Sequence, residues 1–522
     1  MRPLDWAVVG LYLAGIIAFA LRRSRLQHDV QDYYLASRQI RWWQSGFSTM
    51  ATQLGAISFV SAPAFVAMKE GGGLKWLCYE FGVPFGLLVV MMIIVPYLHR
   101  GGYISIYAYL ERRFDRGTRN LVSLLFQLGR GLATAVSVLA GGLILSTALP
   151  ISTAQAIILI GAVTIVYDVL GGIRVVIVSD VVQMLIIFTG IVICGAVALS
   201  MMGWDQIWMA LEPDRSKILD FDHWGLSSEG EYAFWPMTIG GIFLYASYYG
   251  CDQSQVQREL SVGSLRGVRK SLLVNAFGRF PVVLLYCLMG VFVGSVFGAP
   301  EFVSQVATKL GTDSAGILAT LNRDPDRMVP MFVLTFLPQG VVGLIFVAIM
   351  AALMSSLDSA INSLSAVTMQ DFYRVYVKPS ASERHYLMAS KLITLSWGAF
   401  CVMAALAFAY AGEATRQTTI VLINAVGSLL YGPILAPFLL GMTTLRVSSF
   451  HIKSGILAGI AFNVLLWQFT SISWLWWNPA GFLVAAGVSG VLSFLRVSSA
   501  TELLETRRLT SDLGVRRHWK DS

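Results

Sequence analysis

Residues 42–58 read WWQSGFSTMATQLGAIS and are followed closely by Pro63; the stretch is apolar enough to enter a bilayer, yet poor in Leu and crowded with small and hydroxyl residues. In lipid, backbone groups freed from a helix are tolerated only where they line a cavity or bind something. The stretch is therefore expected to be a broken helix, the sequence feature that points to a transporter's binding site near the bilayer midplane. Close packing through small residues would draw on the same composition. A second irregular segment covers 234–252, where Gly240, Gly241, Tyr245, Tyr248, Tyr249 and Gly250 lead into the polar string DQSQVQR at 252–258. Counted from residue 42, the two are the first members of two five-helix halves, which argues for an inverted repeat.

The composition agrees with a membrane setting. Of 522 residues, 56% are hydrophobic and only 13% charged, about half the charged share of a soluble domain. Thirteen apolar segments are long enough to cross a hydrocarbon core of about 30 Å: approximately 4–21, 43–68, 74–97, 121–148, 151–170, 176–201, 234–252, 271–297, 336–366, 387–411, 417–441, 450–470 and 475–495. The first has no small-residue cleavage site after it and is read as a retained helix. Five cysteines, an odd number lying singly in apolar runs, give no disulfide framework. Sorting the loops alternately places 27 of the 38 Lys and Arg on one face and nine on the other, so the richer face is expected to be cytoplasmic, the N-terminus outside and the C-terminus inside. The expected layout is a leading helix at 1–22, repeats at 42–201 and 234–441, two trailing helices at 450–495 and a basic cytoplasmic tail at 496–522, with a short helix over 500–508. This sorting accounts for the net charge of +8 as topogenic, and no basic stripe interleaved with aromatics suggests a nucleic-acid partner. The six histidines lie in loops or near helix ends with no metal-ligand spacing, and no nucleophile and base pair or phosphate loop is visible, so no enzyme is expected.

Two cations remain inside apolar segments, Arg130 and Arg279, both near the midplane. A cation there requires a partner or a wet cavity. Either arginine serves a solute site, or it pairs structurally with Glu80, Asp168 or Asp180. The segment AIMAALMSSLDSAINS at 348–363 places Ala352, Ser355, Ser356 and Ser359 on one helical face at i, i+3, i+4 and i+7. Hydroxyls in that ladder, with carbonyls from a broken neighbour, suit a hard cation such as sodium; a packing face with back-bonded serines has the same pattern. The intramembrane carboxylates Asp180 and Asp358 favour the cation, because each needs a counter-charge or a proton.

At these residues the chain resembles the sodium:solute symporter family, nearest in pattern to its bacterial sialic-acid and galactose branches, over roughly residues 5–470. Beyond the serines, the resemblance rests on Asp32-Tyr33-Tyr34 with Arg38, on Gly171-Gly172-Ile173 leading to Asp180 and Gln183, and on Asp252-Gln253 with Val256-Gln257-Arg258. It implies an all-α, LeuT-like five-plus-five core with one leading and two trailing helices, embedded in the cell membrane and working as a monomer. It further implies a general sodium site of Ala51, Leu54 and Ala352 carbonyls with Ser355 and Ser356 hydroxyls. A second sodium site would use Asp180, Ser355 and Ser359, where Asp358 replaces a serine of the sialic-acid branch. Arg130 matches a carboxylate-clasping arginine; Glu80 and Arg279 match hydroxyl-binding positions, with a lysine usual at 279. Gln53, Ser58, Tyr245 and Asn424 match other sugar-contacting positions, and Tyr248 the inner-gate tyrosine. The expected activity is import of a small polar solute with one or two sodium ions, best a sugar acid such as a sialic acid. The alternatives are a neutral hexose, a monocarboxylate, or a sensor or channel on the same fold.

Overall fold

The computed structural model describes residues 2–25, 27–55, 57–149, 151–227, 230–410, 413–443 and 447–495, without the side chains of 57, 147–148 and 413–426. The expected tail and its short helix lie outside these residues. Among the described residues the chain is helical throughout, with isolated bridges from Gln39 and Ile40 to Val262 but no strand. Nine helices there are long and apolar enough to cross a membrane, ten if one bent pair counts as a single span.

In chain order the principal helices, these spans and the shorter pieces between them, are α1 (Pro3–Ser24), the bent pair α2 (Trp42–Gln53) and α3 (Ala62–Ala67), then α4 (Leu74–Gly101), α5 (Arg116–Ala148) and α6 (Thr153–Met202). There follow α7 (Gly241–Cys251), α8 (Gln253–Leu260), α9 (Leu265–Gly298), α10 (Val341–Val367), α11 (Glu383–Tyr410), α12 (Glu413–Thr443), α13 (Ser449–Phe469) and α14 (Trp474–Leu495).

Three breaks shape the bundle. After α2 the chain leaves helical geometry at Leu54 (φ −86°, ψ 57°) and resumes at an angle of 66°. Between α7 and α8 it turns at Asp252 (φ −92°, ψ 119°), whose side chain accepts from Ser254 N at 2.8 Å and so caps the second piece. The expected segments 151–170 and 176–201 form one 50-residue helix, α6, interrupted at Gly172 (φ 57°, ψ −166°). At about 1.5 Å per residue it is long enough to cross twice. A Cβ at Gly172 would lie 2.6 Å from the Tyr33 carbonyl oxygen, so glycine is required by both conformation and space.

α10 occupies the middle of the bundle, packed against α6, α5, α1 and α11. Small and apolar residues on every side allow this, since an all-round apolar helix is a buried one. From Ile345 to Val367, every residue except Ser356 is buried.

Candidate functional site

That one half-buried serine opens onto a cavity of about 300 Å³. The break between α2 and α3 contributes Thr52, Gln53, Gly55 and Ser58 to its wall. From α5 come Arg130, Thr134 and Ser137, at successive turns of one helical face, and from α7 come Tyr245 and Tyr248. Arg279 reaches in from α9, and Leu430, Tyr431 and Ile434 from α12. One end is aromatic: Trp76 donates to the Tyr286 hydroxyl at 2.8 Å, and the Tyr79 ring lies 5.1 Å from Tyr245 and 6.4 Å from Trp474. Beyond that end Lys75 pairs with Asp220 at 3.2 Å, and His223 Nδ1 lies 3.0 Å from the same carboxylate. Burial pushes the Asp220 carboxyl up, but His223 and Lys75 outweigh it and hold it below the usual carboxylate range.

The two midplane arginines have different surroundings. Arg279 meets Glu80 through Nε at 2.8 Å and Nη2 at 2.9 Å, donates to Tyr245 Oη at 2.8 Å, and donates to Gln53 Oε1. Glu80 is 3% exposed and sits behind this guanidinium, so the pair is closed on itself. Arg130 donates to Tyr248 Oη at 3.4 Å and comes no nearer than 3.8 Å to Asp252, and its Nε has no hydrogen-bond partner. Of the three acids weighed from sequence, only Glu80 is paired with one of these arginines. Asp252 as the partner of Arg130, and Tyr431, which donates to Asp252 at 3.3 Å, were not anticipated.

At the expected general sodium site, Ser356 Oγ lies 3.3 Å from both the Thr52 and Ala352 carbonyls. A Cβ on Gly55 would come within 2.9 Å of that hydroxyl, which places the non-helical stretch after Ala51 directly on α10. Ala51, Ala352 and Ser355 are fully buried, Leu54 stands at the break itself, and Ser355 Oγ is a buried oxygen without a hydrogen bond. Carbonyls freed by a helix end and hydroxyls on a facing helix are oxygen donors of the kind a hard cation prefers.

The residues expected at a second sodium site are brought together, but around another side chain. Arg258 of α8, 0% exposed, donates through Nη2 to Asp180 at 3.0 Å and also to Ser359. Its Nε donates to Ser48 at 2.7 Å, and Ser48 donates to Asp180 at 2.5 Å. Asp358 faces away from the cavity and accepts from the Tyr167 hydroxyl of α6 and, at 3.1 Å, from Ser359. Arg258 belonged to a recognised string without a role assigned to it. The need of Asp180 for a counter-charge was the signal that could have identified it. Gln53, Ser58, Tyr245 and Tyr248 line the cavity as expected. The side chain of Asn424 lies outside the described residues.

The sodium:solute symporter family profile matches residues 33–460. The chain belongs to this family. As a symporter it couples solute movement to sodium and is a multi-pass membrane protein, of a family whose members are not enzymes. It is 27% identical to the sodium/sialic acid symporter NanT of Aliivibrio fischeri, over 98% of this chain and 95% of that protein. It is 25% identical to the human sodium/iodide cotransporter over 84% of this chain, but spans only 65% of that longer relative. The solved structure of a Na+-coupled sialic acid symporter in a substrate-bound, outward-open state superposes with a TM-score of 0.82 at 23% identity, covering 95% of this chain and 98% of that one. The symporter therefore shares that protein's fold.

Proposed function

We propose that this symporter imports a small polyhydroxy acid, of which a sialic acid is the best example, together with sodium. The observation that carries the reading is Arg130, a guanidinium lining the cavity whose nearest carboxylate is 3.8 Å away and whose Nε is unpaired. A planar fork of donors suits a carboxylate. Gln53, Ser58 and Tyr245 would serve the hydroxyl end against the wall held by the Glu80–Arg279 pair, with Tyr248 closing over the solute and Asn424 assigned to the same site by resemblance. The relative that carries sialic acid supports this choice. The second reading, a neutral hexose, draws on the same wall: Asp252 balances Arg130 and Glu80 balances Arg279, leaving a site without net charge.

Sodium would bind the carbonyls of Ala51, Leu54 and Ala352 and the hydroxyls of Ser355 and Ser356, joining α2 to α10 and completing the adjoining solute cavity. A second ion held by Asp180, Ser355 and Ser359, with Asp358 behind them, would have to displace Arg258 from two of the three. We therefore read the cycle as one sodium per solute. One ion falling through 100 mV contributes about 2.3 kcal/mol, enough for roughly fifty-fold accumulation of a neutral solute. We also read α6 as two crossings joined at Gly172 and count the bent pair, α7 and α12 as one crossing each, giving thirteen in all, with 42–201 and 234–441 as inverted repeats, the N-terminus outside and the C-terminus inside.

The test is uptake into proteoliposomes of labelled sialic acid, galactose, glucose and a monocarboxylate, with and without an inward sodium gradient. Sodium-dependent accumulation of the acid with little of the neutral sugars is expected; the reverse preference overturns the carboxylate assignment. Ser356→Ala should raise the sodium concentration for half-maximal uptake about ten-fold, the cost of losing one ligand hydroxyl. An unchanged sodium dependence removes Ser356 from the ion site.

A further inference from the structure

A second concavity lies away from the solute cavity, at the seam between the starts of α2 and α9. Its volume is about 570 Å³, and it is lined by Ile40, Arg41, Trp42, Trp43, Val262, Gly263, Ser264 and Gly267. The lining contains apolar side chains and one cation but no acid. Lys270 reaches over the Trp42 ring, 5.8 Å from its centre, and Arg266 and Arg269 stand exposed on the same helix start. Arg41, Arg266, Arg269 and Lys270 have no carboxylate partner within 4.0 Å among the described residues, as is also true of exposed Lys378 and Arg384 elsewhere; here they gather beside an apolar groove. Trp42 is 40% exposed at the end of a membrane helix, the setting in which tryptophan sits at headgroup level.

We propose that this seam binds an anionic phospholipid, its phosphate among Arg41, Arg266, Arg269 and Lys270 and its glycerol and upper acyl chains against Trp42, Trp43 and Val262. Topogenic sorting explains why this end of the bundle is basic, but not why unpaired cations surround an apolar groove with two tryptophans on its wall. Charge complementarity decides the occupant: a groove with an apolar wall, a cationic rim and no acid fits an amphiphile with a negative head.

The position gives the lipid influence over coupling. Directly along the seam a Cβ on Gly46 would lie 3.2 Å from Ser271 O and from Val274 Cβ, so α2 and α9 are in close backbone contact there. α2 also carries Ala51. A lipid wedged against the start of that contact favours the arrangement in which Ala51 and Gly55 lie on α10, and by linkage it tightens sodium binding. This last step rests on the sodium site proposed above; the lipid site itself does not.

The experiment uses the full-length protein purified from phosphatidylcholine with phosphatidylglycerol added. Native mass spectrometry reads the bound lipid, and proteoliposome uptake reads the sodium dependence. Arg41→Gln/Lys270→Gln should weaken phosphatidylglycerol retention roughly thirty-fold, at about five-fold per cation, while Lys378→Gln/Arg384→Gln, removing two exposed cations elsewhere, leaves it unchanged. Phosphatidylglycerol should lower the sodium concentration for half-maximal uptake several-fold in the wild type and leave it unmoved in Arg41→Gln/Lys270→Gln. Equal lipid loss in both doubles, or displacement by millimolar inorganic phosphate as readily as by lipid, overturns the site. Lipid retention as expected with an unchanged sodium dependence overturns the linkage and leaves the lipid site standing. Arg269→Gln alone, expected to lose about five-fold, serves if the double variant is unstable.

Discussion

Arg130 and Arg279 are the same residue type, both within the bundle and both at the wall of one cavity, but their surroundings give them opposite uses. Arg279 is paired at contact distance: Glu80 lies 2.8 Å from its Nε and accepts from Nη2 at 2.9 Å, and Tyr245 and Gln53 accept from its Nη atoms, although Nε itself makes no hydrogen bond. Arg130 is balanced at a distance by Asp252, with a donor left over. A buried guanidinium in direct contact with its carboxylate fixes the shape of a wall, whereas one whose carboxylate stands off can recognise a ligand.

The comparison breaks first at Glu80. Glu80→Gln leaves the Arg279 charge buried without its partner, and removal of one member of such a pair costs about 3–5 kcal/mol. The expected result is a large fall in thermal stability in detergent, for every candidate solute alike; a melting temperature within a degree of wild type would mean that Arg279 is not a structural member. Arg130→Ala comes next. It should lower binding of a carboxylate solute roughly 50-fold, the value of a lost charged hydrogen-bond pair, with neutral sugar binding and melting temperature almost unmoved, so isothermal titration with matched acid and neutral sugars separates the two roles. Equal loss for both would make Arg130 another wall residue. The smallest effect belongs to Asp252→Asn, which keeps an acceptor for Ser254 N but relieves Arg130 of its distant counter-charge. Affinity for the acid should rise by roughly three- to ten-fold, read in the same titration; a fall would show that Asp252 itself holds solute.

The broken helices were legible because their cause is local. Small residues from Ser45 to Ser58 and the polar turn at Asp252 disfavour a continuous helix wherever the chain lies, and the structure leaves helical geometry at Leu54 and Asp252. The serine ladder was legible for the same reason, since helical spacing alone puts Ser355, Ser356 and Ser359 near one face. The partners of the charges were not legible. Glu80 and Arg279 are 199 residues apart, and Arg258 and Asp180 are 78 apart; helical spacing offered several acids to each arginine without choosing among them. The aromatic end of the cavity escaped for a related reason. Trp76, Tyr79 and Trp474 look like ordinary interfacial aromatics until α4 and α14 are brought together. The merged helix α6 shows the converse: Gly172 was part of a recognised string, but only the approach of Tyr33 explains why the backbone must change direction there.

The nearly sealed surface of α10 constrains how such a molecule can work. A rod gripped on all sides except at Ser356 cannot swing without dismantling its neighbours, and so behaves as a stator. The shortest pieces packed against it are the half-helices, α2 of twelve residues and α8 of eight, which hold on to the rod by a few hydroxyl, amide and guanidinium contacts. The bound ion would then serve as a removable rivet between a fixed axle and a short lever.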